Sequence, residues 1–306
     1  MDLRIALLRS FCILVLVATA QPASAADGAA AKPSVCWVEY GGGAAPGMLG
    51  GQGATSSIWR NTASGLLVRH PRGNVLIDAG WSSTAVEDVK GFSPFKAAMA
   101  SRTLAALSWR VAAPQALGRV KERPEDLAAI LPTHAHFDHM AGAVDLPGTP
   151  VFLTKAEIDW VARQKEQPDV VPLSNIKALE TRFKPLGLEP RPHMGFSHSH
   201  DFYGDGTIVV VPLPGHTPGS VGVFVNVGGR TFFDTGDATF THEALEKGLP
   251  KMKLLRDYAD NDPPKADELV QTLAGFHKAH PEVAVLPSHD RLSWEKAFGP
   301  NPTCTP

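Results

Sequence analysis

The sequence predicts a globular α/β protein, and three observations support this fold class. Of its 306 residues, 43% are hydrophobic and 20% are charged, which excludes a disordered or fibrous chain. Short apolar runs typical of strands recur along the chain, with helical patterns interleaved. Several of these runs end in polar side chains, as strands do at the ligand sites of α/β proteins. No linker divides the chain, so we expect one domain over residues 34–306.

The first 25 residues are predicted to be a secretory signal peptide. Arg4 and Arg9 form a positive segment, and Phe11–Ala20 is an apolar run too short to span a bilayer comfortably. Ala23–Ala25 fits a cleavage site. An uncleaved anchor is the alternative, which Arg9 disfavours because it interrupts the apolar run. We expect an exported protein, periplasmic or secreted, with 26–33 as a flexible tether and no stable membrane insertion of the mature chain.

Cysteine and charge counts limit the classes of function. Three Cys exclude a Cys-rich zinc scaffold, whereas 12 His leave a site of imidazoles and carboxylates open. Cleavage would remove Cys12 and leave Cys36 and Cys304, which an exported chain can join. The sequence does not show whether their Cα atoms lie close enough for a disulfide. The net charge of -2 disfavours broad binding to nucleic acid, and it leaves the oligomeric state open.

The first half of the mature chain is predicted to begin with a strand, Ser34–Tyr40. The next segment, 41–53, contains seven glycines and is expected to be a loop, either a hairpin connection or an apolar flap over a pocket. Helical patterns follow between residues 83 and 120, and Thr154 with Glu157 forms a capping box at a later helix start. Further strands are expected at Leu66–His70, Asn74–Ile77, Leu127–Leu131 and Val151–Leu153.

The second half is predicted to contain four strands and a long helix. The dipeptide Gly228-Gly229 is a two-residue hairpin signal. The helix is expected to begin after Asp262, with prolines in its first turn and an apolar face that includes Val270 and Leu273. The strands are expected at Thr207–Val211, Val221–Val227, Arg230–Phe233 and Val283–Leu286.

Residues 133–139, Thr-His-Ala-His-Phe-Asp-His, carry the clearest chemical signal. Three imidazoles and one carboxylate lie within six residues, and burying them without a ligand would be costly. Imidazole and carboxylate suit zinc or another divalent first-row metal. Four such ligands cannot all reach one tetrahedral ion comfortably, so the spacing favours two adjacent ions.

Three further segments place polar side chains directly after apolar strands. Because the carboxyl ends of strands gather ligands in α/β proteins, we expect these segments to meet the His cluster. They are Gly215-His216-Thr217-Pro218-Gly219, Asp234-Thr235-Gly236-Asp237 and Pro287-Ser288-His289-Asp290.

Together these motifs resemble the metallo-β-lactamase-fold hydrolase superfamily, in its lactonase and organophosphate hydrolase branch. The His-x-His-x-Asp-His motif is reproduced whole at 134–139, and segments 215–219 and 235–237 match two further motifs. Leu76–Gly80 looks like the upstream acidic motif, and the likeness extends from about residue 34 to 292. The resemblance implies a four-layer αβ/βα sandwich, with a dimetal site at the edge between two mixed β-sheets.

The resemblance also implies the roles of the site residues. One metal would be held by His134, His136 and His216, the second by Asp138, His139 and His289, with Asp237 as bridge and Asp78 orienting a ligand imidazole. The catalytic residues would be Asp138 and Asp237. The cofactors would be two Zn²⁺ per chain, with iron, manganese or cobalt as alternatives. The implied activity is hydrolysis of a lactone, ester or similar acyl bond in a small molecule, by hydroxide bound at the dinuclear zinc site.

Other functions stay open on the same residues. The β-lactamases of this superfamily lack a bridging Asp, and the quorum-quenching lactonases have a carbonyl-polarising Tyr where this chain has Phe240. A phenyl ring cannot donate a hydrogen bond, so homoserine-lactone specificity is not implied. The alternatives are a glyoxalase II-like thioesterase or an iron-dependent sulfur dioxygenase; a β-lactamase and a non-catalytic metal-binding protein are weaker. The remaining His are expected to be incidental: His193, His198 and His200 in a polar loop, and His70, His242, His277 and His280 on the surface.

Overall fold

The structure, a computed structural model, describes residues 32–146, 148–166 and 170–305. The predicted signal peptide and residues 26–31 of the predicted tether lie outside them. Two sheets form the centre of the fold. The first contains β1 (Ser34–Pro46), β2 (Ile58–Arg69), β3 (Asn74–Ile77), β4 (Leu107–Arg110), β5 (Leu127–Leu131), β6 (Val151–Thr154), β7 (Phe183–Leu186) and β13 (Cys304–Thr305). The second contains β8 (His200–Asp201), β9 (Ile208–Pro212), β10 (Val221–Val227), β11 (Arg230–Gly236) and β12 (Val283–Pro287).

Both sheets mix parallel and antiparallel pairs. The first runs in the order β13-β1-β2-β3-β5-β6-β7, with β4 paired to β1, and its strands β3, β5, β6 and β7 are parallel neighbours. The second runs β12-β11-β10-β9-β8, with β11 and β12 parallel. The parallel strands of each sheet end on the same edge, so the segments that follow them can converge.

Helices surround the sheets. They are α1 (Ala85–Asp88), α2 (Pro94–Ala106), α3 (Ala113–Arg119), α4 (Lys155–Arg163), α5 (Leu173–Leu179), α6 (His242–Lys247), α7 (Lys253–Ala259), α8 (Pro263–Ala279) and α9 (Arg291–Phe298). All of these helices except α9, which packs on the apolar cluster between the sheets, lie on the outer side. Over the part of the chain that the structure describes, none of them is both long and apolar enough to cross a membrane.

The alternation of side chains along the strands builds three apolar clusters. Trp37 of β1 and Val223 of β10 lie between the sheets, whereas their neighbours Val38 and Phe224 face outward. The outward residues of the first sheet pack on α2 to α5, and those of the second pack on α6 and α8. This arrangement is the four-layer sandwich that the sequence predicts.

The glycine-rich segment differs from the predicted loop. Residues 41–46 continue β1 and pair with β2 and β4. A Cβ at Gly41 would lie 2.5 Å from a ring carbon of Trp81 and 2.9 Å from the carbonyl oxygen of Trp109. Glycine is therefore needed for close packing of a strand, and the loop prediction was wrong over these six residues.

Other local predictions are mostly confirmed. Gly228 and Gly229 have positive φ and join β10 to β11, and Asp262 caps α8 by accepting from the Lys265 N–H. Thr154 caps α4 by accepting from the Glu157 N–H, but the Glu157 carboxylate does not complete the capping box. It turns instead toward the ligand loops described below. Strands β4, β7, β8 and β13 were not predicted, and β2 begins at Ile58, eight residues before the predicted strand.

A disulfide joins Cys36 of β1 to Cys304 of β13. The two residues are directly opposite each other in the antiparallel pair that closes the edge of the first sheet. The bond links positions that are 268 residues apart in the sequence.

Candidate metal centre

The segments that follow β5, β9, β11 and β12 meet at one edge, between the two sheets. They bring together all seven side chains that the sequence predicts as ligands, and most of these are buried. Three groups of potential ligand atoms, each within 4.8 Å of one another, are His134–His136–His216, His134–His139–Asp237 and Asp138–His139–His289.

Asp237 lies between two of these groups. Its Oδ1 is 3.3 Å from His139 Nε2 and 3.2 Å from His289 Nε2, and its Oδ2 is 3.5 Å from His216 Nε2. On the far side, Asp138 carries its two oxygens 3.6 Å from His289 Nε2 and 3.9 Å from His139 Nε2. Each of these two carboxylates therefore lies within 4 Å of the Nε2 atoms of at least two imidazoles.

The opposite ring nitrogens contact partners that fix the ring orientations. His139 Nδ1 lies 2.7 Å from Asp78, His216 Nδ1 lies 2.6 Å from Asp260, and His289 Nδ1 donates to the Thr62 carbonyl at 2.8 Å. Carboxylates or carbonyls behind an imidazole hold its tautomer so that the other nitrogen keeps its lone pair for a metal.

Asp78 occupies the place that the sequence predicts. Its backbone has a φ of 56°, a left-handed conformation that is uncommon outside glycine. Its carboxylate accepts from the Thr133 N–H at 2.6 Å and from the Thr133 hydroxyl, one residue before the ligand motif. Asp78 therefore connects the end of β3 to the His loop as well as to His139.

Asp260 and Lys251 were missed by sequence reasoning. Lys251 is 3% exposed, pairs with Asp260, and has its Nζ 3.0 Å from His216 Nδ1. The backbone N–H of Asn261 donates to the carbonyl of His216, which ties this segment to the ligand loop. Asp260 follows a helix and not a strand, so no strand-end pattern marks it.

Glu157 was assigned only to a helix cap, yet it joins two ligand loops. Its carboxylate accepts from the N–H groups of Ala135 and Gly219 and from the Thr217 hydroxyl, at 2.7–2.9 Å. Burial raises its pKa to about 7, against the effect of these three donors. Glu157 thus sets the spacing between the loop of His134 and His136 and the loop of His216.

The electrostatic environment divides the imidazoles into two sets. Burial, together with the neighbouring imidazoles, holds the pKa of His134 and His136 well below the usual value. Burial also acts to lower the pKa of His139, but Asp78 and Asp237 outweigh it and raise that pKa. Burial acts to raise the pKa of the Asp237 carboxyl, but the neighbouring His289 and His139 outweigh it and lower that pKa. Neutral imidazoles and an ionised carboxylate are the forms that bind metal, and a bound cation would displace the proton from His139.

Unpartnered buried atoms show that the cluster fits metal ions. Among the described residues, His136 Nε2, His139 Nε2 and Asp237 Oδ1 are buried side-chain atoms without a hydrogen bond. Leaving such atoms unpaired is costly, and a divalent cation with nitrogen and oxygen ligands would satisfy them. The donor set suits one or two ions of the zinc type.

A cavity of about 370 Å³ opens onto Asp138, Asp237 and His289. Phe240 forms part of its wall, stacked on Trp59 with 5.7 Å between ring centroids. Its apolar lining comes mainly from Ala44, Ala45, Pro46, Leu49, Trp59, Met99, Phe137, Val170, Phe240, Leu254, Leu255 and Ala259. Polar groups at the wall include Asn61, Arg102 and Thr103.

The sequence favours segments 41–53, 80–120 and 191–205 as the walls of the pocket, and the cavity departs from this in two ways. Helix α7 contributes Leu254, Leu255, Tyr258 and Ala259, which the sequence did not indicate, and the polar loop 191–205 contributes none of the lining residues. In the described part of the chain, His193, His198 and His200 form no metal-type cluster. His193 packs edge-on against Phe224 instead.

Known proteins share this sequence pattern and this fold. The profile of the metallo-beta-lactamase superfamily matches residues 58–289. A probable metallo-hydrolase of Mycobacterium tuberculosis is 27% identical over 183 residues, which cover 59% of this chain and 58% of the relative. An N-acyl homoserine lactonase of a Bacillus species is 26% identical over 188 residues, with 60% and 66% covered. The chain thus spans less than two thirds of the length of these curated relatives.

Solved structures confirm the architecture. An N-acyl homoserine lactone hydrolase with N-hexanoyl-L-homoserine bound at its catalytic metal centre aligns with a TM-score of 0.63 and 19% identity, over 89% of this chain and 99% of its own. AidC, a dizinc quorum-quenching lactonase, aligns with a TM-score of 0.59 and 16% identity, over 84% and 87%. The profile match includes all seven predicted ligands, from His134 to His289, and the chain belongs to the metallo-beta-lactamase superfamily.

Proposed function

We propose that this protein is a metal-dependent hydrolase that cleaves a lactone, an ester or a similar acyl bond with a dinuclear zinc site. The observation that carries the proposal is the convergence of seven ligand-type side chains around buried, unpaired polar atoms beside an apolar cavity. The curated relatives named as metallo-hydrolases and lactonases support the same reaction class.

The geometry supports the ligand assignment made from the motifs. His134, His136 and His216 would hold one ion, and Asp138, His139 and His289 the other. Asp237 would bridge them, because its two oxygens face imidazoles of both groups.

When bound, two divalent cations polarise an acyl carbonyl and make hydroxide available from water at neutral pH. The protein supplies the arrangement around that chemistry. Asp237 keeps its charge because His139 and His289 lower the pKa of its carboxyl. The Asp138 side chain retains 12% exposure and lines the cavity, so its carboxylate is placed to take up a proton released during hydrolysis.

The cavity wall supports a substrate with an apolar portion. A pocket lined mainly by aliphatic and aromatic groups favours acyl or aryl substituents over sugars or phosphates. Phe240 has no hydroxyl to polarise the carbonyl, so orientation would depend on the metals and on shape. The wall therefore restricts the acyl substrate only loosely, and a thioester would fit this cavity as well as an ester would.

Turnover is expected to depend on the ligand His136. The zinc-loaded mature protein should hydrolyse a member of a panel of lactones, aryl esters, thioesters, phosphotriesters and β-lactams, and a chelator or His136→Ala should abolish that rate. His198→Ala, at an exposed loop histidine, is the matched control and should keep it. If the protein bound two metal ions and His136→Ala left turnover intact, the proposal would be wrong. One iron per chain with oxygen consumption would instead favour the sulfur dioxygenase.

Asp260→Asn is expected to weaken zinc binding by about 10–100-fold, because His216 loses the charged acceptor behind its ring. Competition with a chromophoric chelator measures the affinity of the folded protein. Asp257→Asn on α7 is the control, since Asp257 is exposed and pairs with Lys253. Melting curves are recorded alongside, because the variant leaves buried Lys251 without its carboxylate. An unchanged zinc affinity would show that Asp260 does not act through His216.

We also propose that the protein is exported. The signal-like pattern of the first 25 residues supports this, and so does the Cys36–Cys304 disulfide, a bond that persists mainly in oxidising compartments.

A further inference from the structure

A second cluster of ligand-type side chains lies outside the candidate metal centre, where helices α6 and α8 pack together. His242 and Glu246 are one turn apart on α6, and His277 comes from α8. One potential ligand atom from each side chain lies within 4.8 Å of the other two. From the sequence, both histidines were expected to be incidental surface residues, because neither belongs to a recognisable ligand pattern.

We propose that His242, Glu246 and His277 form an additional, peripheral site for a divalent cation of the zinc type. Two imidazoles and one carboxylate are a common zinc ligand set, and three protein ligands leave a fourth position for water. The site is independent of the proposed hydrolysis, because none of its residues belongs to the candidate centre.

The distances are close to those that zinc requires. With zinc–ligand bonds of 2.0–2.2 Å, neighbouring ligand atoms of a tetrahedral ion lie about 3.3 Å apart. His242 Nε2 lies 3.0 Å from Glu246 Oε1, and the rings of His242 and His277 are 5.5 Å apart at 75°. The ligand atom of His277 lies within 4.8 Å of the other two, so a movement of up to about 1.5 Å would complete the triangle.

Unsatisfied imidazole nitrogens provide a second, independent observation. Among the described residues, the Nδ1 atoms of both His242 and His277 are buried and have no hydrogen-bond partner. Two buried nitrogens left unpaired at one helix contact are costly. A cation that takes Nδ1 of His277 as a ligand would satisfy that atom, whereas His242, binding through Nε2, would keep its Nδ1 unpaired. Of the charged groups that act on His242, Lys296 has the largest effect and opposes a bound cation, whereas Glu246 and Asp290 favour one.

The supporting elements are held in place from both sides. Thr241 caps α6 by accepting from the Ala244 N–H, and Gln271 of α8 donates to the carbonyl of Gly248 at the other end of α6. Glu243 accepts from the N–H groups of Thr55 and Ser56. Because the helices are already fixed, binding requires little ordering, which favours affinity.

A bound cation would fasten α6 to α8 next to the cavity wall. Phe240 of that wall precedes Thr241, the cap of α6. The site would therefore act as a structural clamp on the segment that leaves the candidate centre. Glu246 is half-exposed, so the ion should exchange more easily than ions at the buried centre.

Zinc stoichiometry tests the site directly. The mature protein is dialysed against rising free Zn²⁺, and bound zinc per chain is measured by mass spectrometry of the metal. We expect the wild type to take up one more equivalent than His277→Gln, at higher free zinc than the first ions require. His280→Gln is the matched control, because His280 directly follows the same helix, where it pairs with Glu282 and packs on the Phe276 ring.

A second variant and a second readout protect the test from misfolding. Glu246→Gln alters only an exposed side chain, and it should also weaken the additional equivalent by at least about tenfold. In the same zinc series, the melting temperature of the wild type should keep rising after the first ions are bound, whereas that of His277→Gln should not. Equal stoichiometry in the wild type, His277→Gln and Glu246→Gln would overturn the proposal. Because the readout is a difference between variants, that result would leave the hydrolase proposal untouched.

Discussion

Asp237→Asn should lower turnover by on the order of 10³-fold or more, while leaving the fold intact. The side chain is 6% exposed, and its two oxygens face His139, His289 and His216. An amide of the same shape offers one ligand oxygen and no charge. Two cations a few ångströms apart would then lose the shared anion that offsets their repulsion, at a cost of several kcal/mol.

Metal content and kcat/KM of the best substrate measure the effect together. The variant should lose about one equivalent of zinc, and adding excess zinc should restore only part of the rate. Asp159→Asn is the matched control, because Asp159 is an exposed carboxylate paired with Lys155 on α4. Asp237→Glu, which keeps the charge on a longer side chain, should fall between the two. Two full equivalents and a rate within tenfold of the wild type would exclude a bridging role for Asp237.

The parts of the site that the sequence could predict are those encoded in short segments. The His cluster and the segments around His216, Asp237 and His289 each follow an apolar strand, so strand prediction also places the side chain that comes next. Asp78 belongs to the same class, because it follows β3. The structure brings all of these residues together at one edge.

The parts that could not be predicted depend on contacts between distant segments. Asp260 lies 44 residues from His216, and its role requires the turn after α7 to pack on the ligand loop. Glu157 is a second example, in which the local structure was predicted but the side-chain partners were not. Its local pattern correctly predicts a helix start, but its carboxylate is taken by donors 22 to 62 residues away. A local pattern can mark the carboxylate that is able to cap a helix, but it does not show that distant donors will bind that carboxylate instead.

The glycine-rich strand shows how a tertiary contact overrides propensity. Glycine disfavours strands because it loses the most backbone freedom on folding, and a run of glycines therefore predicts a loop. Here Trp81 fills the space that a side chain at Gly41 would occupy, and β2 and β4 provide hydrogen bonds on both sides. Packing against the Trp81 ring and pairing with two strands thus stabilise a glycine-rich strand.

Loss of the Cys36–Cys304 disulfide should lower the free energy of unfolding by roughly 2–5 kcal/mol. The bond joins positions 268 residues apart, so in the unfolded chain it removes more freedom than almost any other pairing in this sequence could. Strand β13 has only two residues, and reduction would leave β1 with a weak edge partner. For a chain of this size, the loss corresponds to a decrease in melting temperature of about 3–9 °C.

Melting temperatures of the wild type and of Cys304→Ser are measured with and without reductant, at one fixed zinc concentration. Reductant should bring the wild type down to the level of Cys304→Ser and should not affect the variant, which has no bond to break. Protein recovered from an oxidising compartment should also show no free thiol on residues 26–306. If the four samples melted within about 1 °C of one another, the bond would contribute nothing to stability. Fraying of the last residues in the native state would then offset the freedom that the bond removes from the unfolded chain.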